Sequence, residues 1–592
     1  MHGLSKGYGV MADYGIIGMK RFWVAYALVA GFLAERAAQG DVMRARLEGN
    51  AAFDRTLAEI VRLDLAAERK WDTLKTPDEV KAYQRDLRQR FIRAIGGFPE
   101  RTPLKPVTTG RVQMEGYSIE KVRFESRPNF HVTAHLFLPD ATVSKPPYPA
   151  ILVPCGHSNE GKLAKFYQRA GVQGVKAGFA VLVYDPIDQG EREQLPGKKL
   201  KSVSGHVNVG YRAYLLGWNT AQFRIWDGMR AIDYLQSRPD IDGTRIGVMG
   251  NSGGGTLSSY LLALDERIKA ACPSCYITSI RRLAEDWGPQ DCEQVIDGQL
   301  ALGINHLSLL LMGWPRPVAC TFADEDAFPF DGALSTFSQQ KLFYNRFGTS
   351  GKADYTSCPG PHGWYDCTRG ASVEWMKRWL NDNRSAKYSD KAAMLALNDG
   401  FDYAKVDCAL TGKKEGFVVP DGEVMKLPGA RTAYDILKDE LARVSAGRHP
   451  PTRELVRRVT GIRLDAPLMP DEPLEYKRGT YWARSHSSAE EIAVMCQWIG
   501  TSLVARKAEQ MIARARAAQA HGAAKEKLTA RGADCVAAAH ACFLAPELFD
   551  GLDLHEPPPS WRTVVEDATI KPSFEYMVGG ALRHYDWTDL TR

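Results

Sequence analysis

The 592-residue sequence contains no comfortable membrane span. Its N-terminal apolar run, Phe22 to Ala34 (FWVAYALVAGFLA), is 13 residues long, and a spanning helix needs about 20. Low-complexity tracts are absent. No Lys/Arg stripe with interleaved aromatics appears, and the net charge of +6 is spread along the whole chain. That combination argues against nucleic acid as a partner. The spacing G-x-x-x-x-G-K-[ST] is missing, so a phosphate-cradling P-loop is excluded. Cys272-Pro-Ser-Cys275 has CxxC spacing, but no second pair lies nearby, which disfavours a zinc ribbon.

What is present is ordinary globular composition, 44% hydrophobic and 25% charged. The length predicts two or more domains. Met19-Lys20-Arg21, the apolar run and Ala37-Ala38 follow the order of a secretory leader. A leader over Met19–Gln39 predicts a secreted or periplasmic protein. The cysteines number 11, an odd count, so at least one is unpaired within the chain. Most read as small buried hydrophobes. Cys358 and Cys367 bracket His362, and in an exported protein a disulfide between them would stiffen that loop.

Residues 50–98 show helical periodicity, with Phe53, Leu57, Ile60, Val61 and Leu65 on one face. Period two then takes over from 110 to 138, predicting antiparallel leading strands. Four short apolar runs follow: Ala150–Pro154, Ala180–Tyr184, Arg245–Met249 and Pro317–Phe322. They are apolar on both faces, as buried parallel strands are. Helical stretches such as 221–236 and 256–264 separate them. The fold class expected is therefore α/β, a doubly wound and mostly parallel sheet.

Gly250-Asn251-Ser252-Gly253-Gly254 matches G-x-S-x-G between the strand RIGVM and a helix. That strand–turn–helix setting is what a nucleophile elbow requires, so Ser252 is the expected nucleophile. A serine needs a base, and the base an acid to orient it. In an elbow-bearing sheet the chain order is Ser, acid, His. His362, in Pro359-Gly360-Pro361-His362-Gly363-Trp364 ahead of a last helix, fits the base. His306 lies before the acid strand and is disfavoured. The loop after the acid strand offers Asp324, Glu325 and Asp326; Asp326 is taken first and Asp324 second. The oxyanion donors expected are the N–H of Gly253 and that of His157 or Ser158. A metal role for His157 is set aside because no partner cluster is visible. No metal or cofactor is expected.

Residues 95–384 resemble the bacterial acetyl xylan esterase branch of the α/β hydrolases, near the dienelactone hydrolase and prolyl oligopeptidase lineages. The stretches that carry this are Ile119–Ser126, Gly156-His157-Ser158, Tyr184-Asp185-Pro186 with Gln189–Arg192, Arg238–Gly247, Gly250–Thr256 and Asp326–Pro329. The resemblance implies Asp326 as the acid, since the family aspartate precedes an aromatic pair. Asp188 stands where glycine is usual, and Cys292 lies near the expected pocket. Both put substrate specificity in question.

Residues 385–592 echo this pattern. Trp498 to Gly532 spans 34 residues against 32 from Trp218 to Gly250, and on that alignment Asp534 falls where Ser252 stands. The division expected is a leader (1–39), a helical region (40–98), a catalytic domain (99–384) and a degenerate hydrolase-like repeat (385–592). The function implied is a secreted serine carboxylic ester hydrolase for acylated carbohydrate. A prolyl oligopeptidase-type peptidase is the alternative, weakened by the lack of an upstream β-propeller; a non-catalytic scaffold suits only the C-terminal part. Trp218, Trp287 and Trp364 are candidates for stacking on sugar rings, although core packing is the commoner role of tryptophan.

Overall fold

The computed structural model describes residues 51–195, 202–381, 410–469 and 488–591. The leader expected at 19–39 lies outside them. Two helices come first, α1 (Ala51–Thr73) and α2 (Pro77–Ala94). Thr76 and Glu79 form a capping box that starts α2. These helices do not stand apart. Trp71 Nε1 donates to Ser308 Oγ at 3.0 Å, and Gln84 Nε2 donates to the carbonyls of Leu311 and Trp314 at 2.7 Å. Asp64 and Glu68 pair with Arg281 at 2.8 and 2.7 Å.

Nine strands form the central sheet: β1 (Val107–Met114), β2 (Tyr117–Arg127), β3 (Phe130–Pro139), β4 (Tyr148–Pro154), β5 (Ala180–Tyr184), β6 (Ile241–Asn251), β7 (Ile268–Ser274), β8 (Val318–Glu325) and β9 (Ala353–Pro361). Their order is β1-β2-β3-β5-β4-β6-β7-β8-β9. β1, β2 and β3 pair antiparallel, as does β3 with β5; β4 to β9 run parallel. The crossover helices are α3 (Lys165–Lys176), α4 (Ser202–Leu215), α5 (Thr220–Gln236), α6 (Gly253–Leu264), α7 (Ile280–Asp286), α8 (His306–Leu311), α9 (Phe330–Arg346) and α10 (Asp366–Leu380). This is the α/β-hydrolase sheet. Strands β4 and β5 are buried along their whole length, which is why they read as unbroken apolar runs. Strands β7 and β9 escaped the sequence reading. In β9, Pro359 and Pro361 argue against a strand, yet β9 lies at the sheet edge, where prolines are tolerated.

The C-terminal part departs from the expected second hydrolase sheet. Its helices are α11 (Ala433–Ser445), α12 (Arg453–Thr460), α13 (Ser488–Trp498), α14 (Leu503–Ala520), α15 (Asp534–Leu544) and α16 (Trp561–Glu566). Among the described residues its sheet has two parallel strands, β10 (Glu526–Arg531) and β11 (Phe549–His555). The β10–α15 turn does reproduce an elbow, but two residues before the expected one. Gly532, not Asp534, has the left-handed φ of 58°. Its N–H donates to His555 O at 3.0 Å, at the end of the neighbouring parallel strand. Ser252, also at φ 58°, donates in the same way to Ser274 O at 3.0 Å. Glycine therefore occupies the nucleophile's place, and Asp534 is already helical. This part also shares the main core with the sheet. Backbone bonds from Gly298 to Gln497 and from Leu300 to Trp498 stitch the two together at 2.8 and 2.9 Å. No described helix is long and apolar enough to cross a membrane.

Candidate active site

Ser252 sits between β6 and α6 with φ 58° and ψ −125°, a strained conformation for a residue with a Cβ. The glycines around it answer close approaches. A Cβ on Gly254 would lie 2.4 Å from Pro154 O, and one on Gly255 2.4 Å from Ser274 O. Ser252 itself is partly exposed at the carboxyl edge of the sheet.

The register of β8 on β9 places acid and base together. Glu325 pairs with Pro361, and the next residue on each strand is Asp326 and His362. His362 Nδ1 lies 2.7 Å from Asp326 Oδ1. Asp326 Oδ1 also accepts the Phe328 N–H at 3.0 Å, and its side chain is 3% exposed against 34% for His362. Asp324 takes a different part: its Oδ1 accepts the Gly360 N–H at 2.9 Å. Cys275, after β7, donates its thiol to Gly363 O at 3.3 Å, and burial pushes that thiol well up. The Cys358–Cys367 disulfide closes the loop that carries His362.

The loop after β4 supplies the oxyanion candidates. Gly156 runs against the elbow: a Cβ there would lie 2.4 Å from Asn251 O and 3.0 Å from Gly253 N. The Ser158 N–H is donated to Gln189 Oε1 at 2.7 Å. Ser158 is thereby corrected as an oxyanion donor, and Gly253 and His157 remain. Gln189 belongs to the Gln189–Arg192 stretch read from sequence. The rest of that stretch is structural. Lys162 Nζ, fully buried, pairs with Asp185 and Glu191 at 2.6 and 2.5 Å, and Arg192 pairs with Asp227 at 2.7 Å.

A second correction concerns the His157 side chain. Sequence spacing showed no partner for it, but the fold brings three. His157, His206 from α4, and Asp291 and Glu293 from the α7–α8 connection hold their ligand atoms within 4.8 Å of one another. These residues lie far apart in the chain, so no local motif could reveal them. Burial pushes the His206 imidazole down to about 4. Burial alone would raise the Asp291 carboxyl, but the facing His157 and His206 hold it well below the usual range.

The two departures noted in the sequence resolve separately. Asp188 has φ 59°, which explains why glycine suits the position. Cys292, between the two acids, packs its sulfur on Thr220 Oγ1 and His206 O, both at 3.4 Å. The tryptophans proposed for sugar stacking are largely core. Trp364 packs edge-on to Tyr167, and Trp218 covers Gly96.

Residues 86–286 match the family model Acetyl xylan esterase (AXE1). That segment contains Ser252 and the 155–158 loop and ends before Asp326 and His362. Among curated proteins, "Putative hydrolase YtaP" of Bacillus subtilis (strain 168) is 27% identical over 200 residues, 32% of this chain and 63% of that protein. The match thus spans less than two thirds of that relative. Among solved structures, Methylesterase BT1017 is 20% identical with a TM-score of 0.49, covering 65% of this chain and 81% of that one. An acetyl xylan esterase from Paenibacillus sp. R4 is 17% identical with a TM-score of 0.34, covering 53% and 94%. The chain thus has a mixed, mostly parallel α/β sheet, and its segment 86–286 is similar to the acetyl xylan esterase family.

Proposed function

We propose that this protein is a serine carboxylic ester hydrolase that deacylates carbohydrate esters. The observation that carries the reading is the juxtaposition of His362 Nδ1 and Asp326 Oδ1 at 2.7 Å, on the same sheet edge as a strained serine elbow. Ser252 Oγ attacks the ester carbonyl while His362 Nε2 accepts its proton. The carbonyl pair moves onto oxygen, and the oxyanion is met by the N–H groups of Gly253 and His157. Collapse expels the alcohol, which leaves with the proton from His362. Water then attacks the acyl-serine, His362 takes a proton from it, and acid and free Ser252 are regenerated. Asp326 holds the imidazole tautomer and stabilises the imidazolium.

Acylated carbohydrate is favoured by the family match over 86–286. The leader-like order at Met19–Gln39 supports secretion or export to the periplasm. Purified protein assayed on acetylated sugars, aryl acetates and methyl glucuronate esters should release acid or methanol from at least one class. Ser252→Ala should lose that activity by about 10³-fold or more. Full activity in Ser252→Ala would end the reading.

A further inference from the structure

We propose that His157, His206, Asp291 and Glu293 form a binding site for one divalent transition ion of the zinc class, set beside the oxyanion loop. Four donors converge from three separate segments: the loop after β4, helix α4, and the α7–α8 connection. His157 Nε2 lies 3.1 Å from Asp291 Oδ2 and 3.2 Å from Glu293 Oε1. His206 Nε2 lies 3.4 Å from the same Asp291 oxygen and 3.8 Å from Glu293 Oε2. An ion bound tetrahedrally at about 2.0–2.2 Å has donor–donor edges of roughly 3.3–3.6 Å. The four contacts, 3.1–3.8 Å, bracket that range, and one donor atom from each residue lies within 4.8 Å of the others.

Burial gives an independent argument. His206 is fully buried, and neither of its ring nitrogens has a hydrogen-bond partner. His157 Nε2 and Glu293 Oε1 are likewise without a hydrogen-bond partner, while Glu293 Oε2 faces the Arg224 guanidinium. Buried polar atoms are ordinarily satisfied, and the gathering of His157 Nε2, His206 Nε2 and Glu293 Oε1 without hydrogen bonds suits a ligand better than a core. The remaining bonds orient the donors. Asp291 Oδ1 accepts the Glu293 N–H at 3.2 Å, which leaves Oδ2 for the histidines. The His157 and His206 rings stack 4.9 Å apart. The Arg224 guanidinium contacts Glu293 and donates to Cys155 O at 2.9 Å.

Charge and donor chemistry choose the ion. Two carboxylates and one guanidinium sum to −1, so a dication is accommodated without gross imbalance. Two imidazoles and two carboxylates suit zinc, whereas calcium and magnesium prefer oxygen alone. The position suggests what the ion does. A Cβ on Gly253 would lie 2.7 Å from Glu293 Oε1 and 3.5 Å from His157 Nε2. The ion would therefore fix the backbone of His157 next to Gly253 and place positive charge beside the developing oxyanion. That second part rests on the esterase reading; the binding itself does not.

The test uses the full chain, purified without immobilised metal, dialysed against metal-free buffer and then exposed to zinc or cobalt(II). Expected are about one ion per chain by mass spectrometry and the visible spectrum of four-coordinate cobalt. Asp291→Asn and His206→Gln should lose both while keeping the wild-type circular dichroism. A wild-type protein that takes up neither ion, or folded variants that keep it, would overturn the proposal. Should the variants misfold, wild type alone decides: a thermal midpoint insensitive to chelator together with no cobalt spectrum overturns it. Labelling the same samples with a fluorophosphonate separates the two readings. Labelled, metal-free protein defeats the metal site and spares the nucleophile; metal-bound, unlabelled protein does the reverse.

Discussion

His362 Nδ1 and Asp326 Oδ1 lie 2.7 Å apart, each one residue beyond the last paired residues of β8 and β9. Asp324, two residues earlier, instead holds the Gly360 N–H. The two aspartates therefore separate by function. Asp326→Asn should lower kcat by about 10³–10⁴-fold, because the amide favours the wrong imidazole tautomer. Asp324→Asn should cost less than about tenfold, as a neutral acceptor still serves the loop. Steady-state kinetics on one ester decide between them; equal losses would contradict the assignment.

The Cys358–Cys367 disulfide closes nine residues of sequence around His362. Loop-closure entropy for so short a ring is worth about 2–3 kcal/mol. The double variant Cys358→Ser/Cys367→Ser should unfold at lower denaturant, and its kcat should fall more than its KM rises. Denaturant melts and kinetics on the same preparation check both.

Asp188 is buried, and burial pushes its carboxyl up to about 7, with the Gln194 N–H opposing. An acid whose folded pKa is raised binds its proton longer in the fold than in the unfolded chain. Its effect is neutral below about pH 4, and stability is lost as pH rises toward 7. At about 1.4 kcal/mol per pKa unit the penalty at neutral pH is at most roughly 4 kcal/mol. Asp188→Asn keeps an acceptor for Gln194 and tolerates the positive φ. It should raise the thermal midpoint at pH 7.5 and leave it nearly unchanged at pH 4. A shift of equal size at both would refute the burial argument.

Gly156 has no room for a side chain, since a Cβ there meets the carbonyl oxygen of Asn251 at 2.4 Å. Both partners are backbone, so neither can rotate away. Gly156→Ala should move the His157 N–H and lower kcat by about 10²-fold, the usual cost of one oxyanion donor. The KM should change little. Kinetics beside a thermal melt would show whether the loss is local or a general destabilisation.

Much of the catalytic half was legible because its signals are local. The elbow is a five-residue string with a strand behind it, and the base lies in a loop ahead of a helix. Asp326 against Asp324 was not decided by chemistry, because register across β8 and β9 makes the choice. The His157 cluster was invisible for a stronger reason: its members span 157 to 293, and tertiary packing alone assembles them. Ser158 failed as a donor because Gln189, 31 residues away, takes its N–H. In the C-terminal part the spacing found the strand–turn–helix but misplaced the key residue by two, since the left-handed position is set by where β10 ends. The four apolar runs of the sheet were plain; β9, marked by two prolines, was not.

An activated nucleophile at Ser252 would react covalently with a phosphonylating reagent. Incubation of the full-length protein with a fluorophosphonate, followed by intact-mass and peptide mass spectrometry, tests it directly. One adduct per chain is expected, located on Ser252, lost in Ser252→Ala and slowed by about 10³-fold in His362→Ala. A protein that stays unmodified, or is labelled as fast in Ser252→Ala, would contradict it.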